Sequence, residues 1–515
     1  MLFSNRTRSA ARRCLQPCRA AVLLLALVLG SGCGVRTTDP LVSPTVITAR
    51  DRNTRALQHD LAVLFAEPPL NRGLVAVRVE SLDNADVLFR HNDAQRVLPA
   101  SNQKIVTVAA SAELLGWDYR FLTRLQATGP VRDGVLEGDL IVVGTGDPTL
   151  SGRYEGAAVV FSRWAAQLRA AGIRTIAGRL VGDNRAFSSE PWGAGWAWDD
   201  LENPYAAPVG ALLVNDSVTA VTIRPAVAPG QPGTVMIAEP QAGLALEAHV
   251  TTAEPGGAAA LTFERVPGTS ILRVSGTIPA GAPPVERMVA VVNPTNHFLG
   301  TLRDALGASG ILTLGGIADL AGLHPSPTPL GPPLIDHYSP RLREIAAVAM
   351  RTSHNLHAES LFGALARLDA PTATADQARQ VIAAVLQRWG VPSDAVVIAD
   401  GSGLSRHNHL TAAALMTILR RMATDDRHRD EWLASFARGG SEGTLSTRFS
   451  SGAAEGRVRA KTGTLTSIRA LSGYVRTDGG ELLAFVMIVN NAVGTREQVD
   501  GVFDRAVGRL VSFRR

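Results

Sequence analysis

Cysteine and lysine are both scarce in this chain of 515 residues, and the scarcity of cysteine excludes several kinds of chemistry. The three cysteines, Cys14, Cys18 and Cys33, all lie near the N-terminus, so residues 34–515 contain none. Disulfide bonds, thiol catalysis and zinc–thiolate sites are therefore excluded for the body of the protein. The N-terminal apolar run at residues 20–29 is too short to cross a bilayer comfortably, and it has the length of a secretory signal core.

Excess basic charge is also missing once the N-terminal segment is set aside. Residues 1–33 hold five arginines and no acidic residue, and the remaining chain has 46 basic and 46 acidic residues. This neutral balance gives no support for nucleic-acid binding. We interpret residues 1–33 as a signal peptide for export to the periplasm or cell envelope, followed by a linker at residues 34–50. Cys33 follows small residues, so a lipid-anchored N-terminus attached to the membrane is an open alternative.

The two lysines, Lys104 and Lys461, stand beside 49 arginines. Arginine stays protonated in proteins, whereas a desolvated lysine can lose its proton. Both lysines fall in short motifs of serine chemistry, Ser101-Asn-Gln-Lys104 and Lys461-Thr-Gly463. Each motif alone is a weak pattern. Both lysines of the chain occur in such motifs, and the motifs follow each other in this order. This predicts that the two lysines transfer protons at one catalytic site.

Ser101 and Lys104 begin a pattern that predicts a buried helix ending at Gly116. Positions i and i+3 share a helix face, so the amine can reach the hydroxyl. A hydroxyl is a poor nucleophile until a base removes its proton, and a buried lysine is a suitable base. The backbone N–H of Ser101, at the helix start, would also face a developing oxyanion.

Two further motifs offer groups that would complete such a site. Ser353 and Asn355 follow a predicted helix and are suited to relay a proton and to hold a substrate amide, although Ser-x-Asn is often only a turn. We expect Lys461 to lie on an edge strand lining a cleft, with Gly463 allowing close approach of a substrate backbone. The side chains of Lys461, Thr462 and Thr464 would bind a carboxylate, and the Thr464 N–H would pair with that of Ser101 as oxyanion donors.

The wider pattern predicts an α/β protein with strands at both ends of the chain and helices between them. Strands are expected at residues 74–79, 87–89, 471–475 and 482–489, the last two joined by a turn at 478–479. Helices are expected at 157–168, after Asn293, from Ser339-Pro340 to about Ser353, at 375–389 and at 499–510. Residues 121–288 are rich in short strand patterns, which indicates a mostly β insertion.

The three motifs together resemble those of the penicillin-recognising serine enzymes. The segments 138–140, 146–150, 198–200, 400–406 and 459–465 resemble the low-molecular-mass class C penicillin-binding proteins, which are D-alanyl-D-alanine carboxypeptidases and endopeptidases. The resemblance implies a transpeptidase-like fold, an antiparallel sheet flanked by helices, formed by residues 51–120 and 289–515 and split by a large inserted domain at 121–288. It implies that Ser101 is acylated, that Lys104 is its base, and that Ser353, Asn355 and Lys461 complete the site.

The same resemblance implies the substrate and the inhibitors. Peptidoglycan stem peptides would be cut at a terminal D-Ala, at D-Ala–diaminopimelate crosslinks, or at both, and β-lactams would acylate Ser101. No cofactor or metal is expected. Two alternatives share the scaffold: a catalytically idle wall-binding or β-lactam-sensing protein, and a β-lactamase, which needs a dedicated base for deacylation.

Other patterns favour different sites but are weaker. His354, His357, Glu359, His407 and His409 resemble a metal cluster, although satisfied surface or cleft histidines are the favoured interpretation. Ser441 matches a nucleophile elbow but lacks a clear preceding strand, and Gly144-Thr-Gly146 lacks the third glycine of a dinucleotide fingerprint. The tryptophans at 192, 196 and 198 predict either a glycan-stacking surface or a packed core.

Overall fold

The computed structural model describes residues 49–187, 190–368 and 370–515, so the predicted signal peptide and most of the predicted linker lie outside the described residues. Among the described residues, no helix has both the length and the apolar character needed to cross a membrane. These residues form ten α-helices: α1 (Ala49–Ala66), α2 (Gln103–Leu115), α3 (Ala157–Ala170), α4 (Pro294–Ala308), α5 (Leu342–Arg351), α6 (Asn355–Ala366), α7 (Ala375–Arg388), α8 (Ala412–Thr424), α9 (Arg429–Ser435) and α10 (Arg496–Val511).

The strands of the described residues are mostly short and concentrate in the middle of the chain and at its two ends. They are β1 (Leu74–Ser81), β2 (Asp86–His91), β3 (Arg96–Val97), β4 (Leu122–Ala127), β5 (Val131–Arg132), β6 (Val135–Leu136), β7 (Leu140–Val143), β8 (Thr175–Ile176), β9 (Leu180–Asp183), β10 (Val218–Arg224), β11 (Thr234–Ile237), β12 (Ala245–Ala253), β13 (Ala260–Arg265), β14 (Ile271–Pro279), β15 (Val285–Ala290), β16 (Leu312–Thr313), β17 (Ile317–Asp319), β18 (Ile335–Tyr338), β19 (Val396–Val397), β20 (His409–Thr411), β21 (Ala437–Arg438), β22 (Val458–Leu465), β23 (Ile468–Arg476) and β24 (Leu482–Asn490).

A six-stranded antiparallel sheet joins the two ends of the chain, in the order β2-β1-β24-β23-β22-β21. The pairing of Val77 with Met487 shows that β1 lies directly beside β24. The sheet therefore has the arrangement that the sequence predicts, with strands from both ends of the chain and helices in between.

Strand β24 is apolar from Leu482 to Val489 because both faces of the sheet are covered. Successive side chains of a strand point to opposite faces. Ala484, Val486 and Ile488 pack in the cluster that contains α2 and α8. Their neighbours Phe485 and Met487 pack in the cluster that contains α1 and α10. A strand buried on both sides needs an unbroken hydrophobic run rather than an alternating one.

Helix α2 is the central helix of the first of these two clusters. Every residue from Gln103 to Ala112 is buried, and helices α5, α6, α7 and α8 all lie in contact with it. An apolar pattern around the whole circumference is typical of a helix with no solvent-facing side. Lys104 is consequently carried into the interior, where an ammonium ion is poorly solvated.

The middle of the chain forms four further sheets and the predicted helix at 157–168, observed as α3. The largest is a five-stranded sheet in the order β17-β9-β7-β4-β18, in which β7, β9 and β17 run parallel. Helices α3 and α4 share one hydrophobic cluster with this sheet. Two three-stranded sheets, β11-β10-β15 and β12-β14-β13, share a separate core.

The division into domains at residues 120 and 288 stays a prediction. Strand pairing continues beyond 288, since β16, β17 and β18 pair with β8, β9 and β4. The chain leaves and returns at neighbouring positions, because the Phe121 N–H donates to Ser339 Oγ at 2.9 Å and the Ser339 N–H to Phe121 O at 3.0 Å. This pairing supports a second boundary near residue 339.

The expectation that Ser339 caps a helix is wrong. Helix α5 begins at Leu342, and the side chain of Glu344 accepts a hydrogen bond from the Arg341 N–H at 2.6 Å, closing its first turn. The hydroxyl of Ser339 instead serves the junction with Phe121. Two competing uses of one serine cannot be separated by local pattern alone.

Candidate active site

Ser101 lies in a 3₁₀ turn, Ala100–Asn102, that leads directly into α2. Ala100 has a left-handed φ of 47°, an unfavourable conformation for a residue with a side chain. Asn102 Nδ2 donates to the Lys461 carbonyl oxygen at 3.2 Å, which ties the turn to strand β22. The turn is thus held against the strand that carries the second lysine.

Lys104 is fully buried, and its Nζ has three oxygen neighbours. It lies 3.0 Å from Ser101 Oγ, 2.6 Å from Asn355 Oδ1 and 2.7 Å from the Ser402 carbonyl oxygen. Burial lowers the pKa of Lys104 to about 7, although the carboxylates of Asp400 and Glu359 oppose the shift. A large share of the protein therefore carries a neutral amine at neutral pH.

The three contacts of Lys104 dictate where a neutral amine places its protons. The amide oxygen of Asn355 and the carbonyl oxygen of Ser402 can only accept hydrogen bonds. A neutral amine donates its two N–H bonds to these acceptors, which leaves its lone pair facing the hydroxyl of Ser101. This is the geometry that general-base removal of the serine proton requires.

Ser353 and Asn355 lie at the junction between α5 and α6. The sequence predicts that they follow a helix, but it does not predict α6. Ser353 has a left-handed φ of 61°, and Asn355 is the first residue of α6. Besides accepting from Lys104, the Asn355 amide donates through Nδ2 to the Tyr205 carbonyl oxygen at 2.7 Å. The two bonds fix the orientation of the amide.

Lys461 is fully buried on β22. Its Nζ donates to Ser353 Oγ at 2.7 Å and to the Thr462 carbonyl oxygen at 2.7 Å. Burial, together with the charge of Lys104, lowers the pKa of Lys461 well below its ordinary value. The amine of Lys461 is therefore directed at Ser353 and shielded from solvent.

Strand β22 lies one position from the edge of the sheet, which nearly matches the expected edge strand. In the described part of the chain, the outer strand β21 pairs only with Arg459 and Ala460. The segment from Lys461 to Leu465 pairs with β23 on one side and has no strand on the other. An extended peptide can therefore align along this open side.

The three residues that follow Lys461 differ in their surroundings. The Thr462 hydroxyl is 2.9 Å from that of Thr444, and the exposed Thr464 accepts a hydrogen bond from Arg469. A Cβ at Gly463 would lie 2.9 Å from the Pro99 carbonyl oxygen and 3.1 Å from Asn102 Nδ2. The absent side chain thus makes room for the turn bearing Ser101 rather than for a substrate.

The turn at residues 400–405 supports Lys104. Asp400 accepts hydrogen bonds from the backbone N–H groups of Gly403 and Ser405, both at 2.7 Å, and from Trp196 Nε1 at 2.9 Å. These bonds hold the turn so that the Ser402 carbonyl oxygen faces Lys104. Gly403 has φ of 83°, and a Cβ there would overlap the Ala100 carbonyl oxygen.

Glu359 belongs to the same support and not to a metal cluster. Its buried carboxyl accepts from the N–H groups of Gly401 and Ser402 at 3.1 and 2.8 Å. Burial and the nearby Asp400 raise the pKa of Glu359 to about 8. The roles of Asp400, Ser402 and Glu359 were not predicted from the sequence, although the segment 400–406 was among those that carried the family resemblance.

The five residues that resembled a metal cluster do not converge in the structure. His354 and His357 lie together, joined by Asp216 of the inserted segment. Glu359 faces the turn at 400–405 instead. Among the tryptophans, Trp198 is 60% exposed and Trp192 37% exposed, so these two do not form a packed core.

The motifs open on a cleft with a volume of about 570 Å³. Asp200, Arg406 and Arg496 are its charged lining residues within the described chain. The other lining residues are Ser101, Gly195, Ala197, Tyr205, Ser353, Asn355, Gly403, Leu404, Thr444, Thr462, Thr464, Leu465 and Thr466. The cleft therefore presents the Ser101 hydroxyl, other hydroxyl groups and charges of both signs to one bound molecule.

A serine paired with a buried lysine, on a helix covered by an antiparallel sheet, defines the class of penicillin-recognising serine peptidases. The structure is similar to the crystal structure of penicillin binding protein 4 (dacB) from Haemophilus influenzae. The TM-score is 0.77 at 26% identity, over 87% of this chain and 98% of that one. The complex of that protein with a β-lactam matches with a TM-score of 0.73 at 25% identity, over 88% and 100% of the chains. The predicted fold is confirmed.

The chain belongs to the D-Ala-D-Ala carboxypeptidase 3 (S13) family, whose model matches residues 57–506. It is 34% identical over 461 residues to the D-alanyl-D-alanine carboxypeptidase of Actinomadura sp. (strain R39), covering 87% of this chain and 83% of the relative. It is 28% identical to the D-alanyl-D-alanine carboxypeptidase DacB of H. influenzae, over 82% and 85% of the two chains. The family resemblance predicted from the motifs is confirmed, and with it the assignment as a peptidase.

Proposed function

We propose that Ser101 is the acylated nucleophile of a D-Ala-D-Ala carboxypeptidase and endopeptidase acting on peptidoglycan stem peptides. The observation that carries the proposal is the buried Lys104 amine, 3.0 Å from the Ser101 hydroxyl. Its other two contacts are pure acceptors, and its pKa is lowered to about 7. Together these features prepare an amine to accept the serine proton.

Acylation follows from this arrangement. Lys104 takes the hydroxyl proton as Ser101 Oγ bonds to the carbonyl carbon of the penultimate D-Ala. The N–H groups of Ser101 and Thr464 are the proposed donors to the developing oxyanion. The C–N bond then breaks, and the departing amine takes a proton from the protonated Lys104 or through Ser353, which Lys461 contacts at 2.7 Å. Water later attacks the ester and regenerates the hydroxyl.

The open side of β22 is the proposed binding surface for the peptide. Thr462 and Thr464 line the cleft with hydroxyl groups, and Arg496 adds a positive charge to the same wall. A terminal carboxylate fits this combination. Lys461 contributes indirectly, because its buried amine holds Ser353 in place.

The cleft also has features that suit the diaminopimelate of a crosslink. Asp200 and Arg406 both line it, and a side chain that carries one amino and one carboxylate group needs partners of both signs. Asp200 is held by the Tyr205 hydroxyl at 2.6 Å. This complementarity supports action on diaminopimelate-containing peptides.

Slow release of β-lactams is expected rather than efficient hydrolysis. Efficient deacylation needs a base that activates water at the ester. Among the described residues lining the cleft, Asp200 is the one carboxylate, and it is engaged by Tyr205. The proposal therefore favours a penicillin-binding peptidase over a β-lactamase, and the intact Ser101–Lys104 pair disfavours an idle wall-binding or sensing protein.

Export is the proposed route to this substrate. The arginine-rich segment and the apolar run at residues 20–29 support a periplasmic or envelope location, with lipid attachment at Cys33 as the finer possibility. Mass spectrometry of the native N-terminus distinguishes a cleaved, unmodified chain from a lipidated one.

The deciding experiment is covalent labelling with fluorescent penicillin. Wild type is expected to give one stable label per chain, and Ser101→Ala none. The same pair of proteins is then incubated with a pentapeptide ending in D-Ala-D-Ala, where only wild type should release D-Ala. A wild-type protein that takes no label, or a labelled Ser101→Ala variant, would contradict the assignment.

A further inference from the structure

A cluster of two histidines and an aspartate lies beside the active site. Asp216, His354 and His357 each offer one ligand atom, and these atoms lie within 4.8 Å of one another. The aspartate comes from the inserted segment, whereas His354 directly precedes α6 and His357 lies in its first turn. The cluster therefore joins two separate parts of the chain.

The two imidazoles face each other through equivalent atoms. His354 Nδ1 is 2.9 Å from His357 Nδ1, so one of these two nitrogens donates the hydrogen bond and the other accepts it. The other nitrogen of His357, Nε2, is 3.1 Å from the Tyr154 hydroxyl, and the imidazole of His357 stacks on the ring of Tyr154. A metal-bound histidine is typically held in this way, with its second nitrogen hydrogen-bonded to a neighbouring group.

Asp216 has an oxygen without a partner. Its Oδ2 accepts from Arg153 Nε at 2.7 Å and lies 3.5 Å from His354 Nε2. Its Oδ1 is buried and has no hydrogen-bond partner. An unsatisfied buried carboxylate oxygen is costly, and a cation would satisfy it.

The backbone around Asp216 is held in an unfavourable conformation. Asn215, Asp216 and Ser217 have φ of 49°, 56° and 54°, so three successive residues with side chains are left-handed. Such strain persists only where the surrounding structure imposes it, and it is concentrated at ligand and catalytic sites. Here the strained run presents the carboxylate to the two imidazoles.

We propose that Asp216, His354 and His357 form a site for one divalent transition-metal ion, of which Zn²⁺ is the best fit. Two imidazoles and a carboxylate are a typical ligand set for Zn²⁺, which binds these atoms at ~2.0–2.2 Å. A fourth position remains for water or another ligand.

The bound ion would restrain the segment Ser353-His354-Asn355. His354 lies between Ser353 and Asn355, so a metal bond to its ring fixes the short segment that carries both groups. Arg153 competes with the ion for Asp216, and its 41% exposed side chain can turn outward. Metal binding does not depend on the proposed function, because none of the three ligands is needed to acylate Ser101.

Titration of the tag-free mature protein with Zn²⁺ by isothermal calorimetry tests the proposal. One ion per chain is expected, with at least tenfold weaker binding in His357→Phe and in Asp216→Asn. The variants His407→Ala and His409→Ala are matched controls, since these histidines lie outside the cluster, and they should bind as wild type does. A wild-type protein that binds no Zn²⁺, or a His357→Phe variant that binds it equally well, would overturn the proposal.

Two further measurements separate loss of the site from loss of the fold. Labelling by fluorescent penicillin should persist in His357→Phe and Asp216→Asn, which shows that the active site is still formed. Arg153→Gln removes the competing cation and should bind Zn²⁺ more tightly than wild type, with a larger Zn²⁺-dependent rise in the melting temperature. Unchanged or weaker binding by Arg153→Gln would count against ligation by Asp216.

Discussion

As the proposed base, Lys104 would control the reactivity of Ser101 through its protonation state. Its pKa of about 7 means that the neutral amine predominates only above that pH. Below pH 7 the fraction of neutral amine falls tenfold for each pH unit. We expect the second-order rate of acylation by penicillin to fall in the same way between pH 6.5 and 5, measured by stopped-flow fluorescence. A flat profile over this range would show that another group is the base.

Replacement of Lys104 by arginine tests the same residue without removing its positive charge. Arginine cannot lose its proton in a protein. Lys104→Arg should therefore lose about 10²- to 10⁴-fold in acylation rate. Circular dichroism and the melting temperature provide the control for folding. Near-normal acylation in a folded Lys104→Arg protein would exclude general-base catalysis by Lys104.

Asp200 and Arg406 should distinguish peptide substrates from antibiotics. Asp200→Asn and Arg406→Gln remove charges from the cleft wall and leave the Ser101–Lys104 pair untouched. We expect each to lower kcat/KM at least tenfold for a peptide with a diaminopimelate side chain, while changing penicillin acylation less than threefold. Equal losses on both substrates would indicate a general distortion of the cleft instead.

The side chains of the site were largely predictable from sequence, whereas its backbone partners were not. Ser101, Lys104, Ser353, Asn355 and Lys461 belong to motifs, and the structure brings all five together. The carbonyl oxygens of Ser402 and Tyr205 also orient the site. Every residue has a carbonyl group, so no residue type marks the ones that face a catalytic amine.

The turn at 400–405 is a supporting element that a single added methyl group would distort. Gly403→Ala introduces a Cβ that overlaps the Ala100 carbonyl oxygen, so the turn must move and withdraw Ser402 from Lys104. We expect a strong loss of penicillin acylation and a lower melting temperature. Gly390→Ala is the matched control, since Gly390 has a similar φ of 79° but open space around it. That variant should lose only the ~1 kcal/mol of unfolding free energy that an alanine in a left-handed conformation costs.

Helices and strands were predicted correctly where their periodic sequence pattern had a single structural cause. Helix α2 and strand β24 are apolar because they are buried on all sides, and both were predicted. Helices α1, α8 and α9 were not predicted, and α6 was missed because its first residues were assigned to a catalytic turn. Ser339 shows the opposite error, in which a good capping residue is used at a tertiary junction instead.

At the scale of the whole molecule, Tyr474 links three elements of the peptidase core. Its buried hydroxyl accepts from Trp432 Nε1 at 2.6 Å and donates to the Leu419 carbonyl oxygen at 2.7 Å. Tyr474→Phe leaves the buried Trp432 Nε1 without its hydrogen-bond partner, which should cost about 1–3 kcal/mol of unfolding free energy. Chemical denaturation measures the loss. Tyr338→Phe, at a tyrosine that is 55% exposed, should change stability by less than ~0.5 kcal/mol.

The order of the strands in the main sheet has a consequence for how the protein is made. Strand β1 leaves the ribosome long before its partner β24, because nearly all of the other described elements lie between them in the chain. Ser101 likewise waits for Ser353 and Lys461, which are supplied by later parts of the chain. A nascent or prematurely terminated polypeptide consequently lacks the assembled reaction centre. The fold thus delays hydrolytic capability until the segment that carries Lys461 has been synthesised.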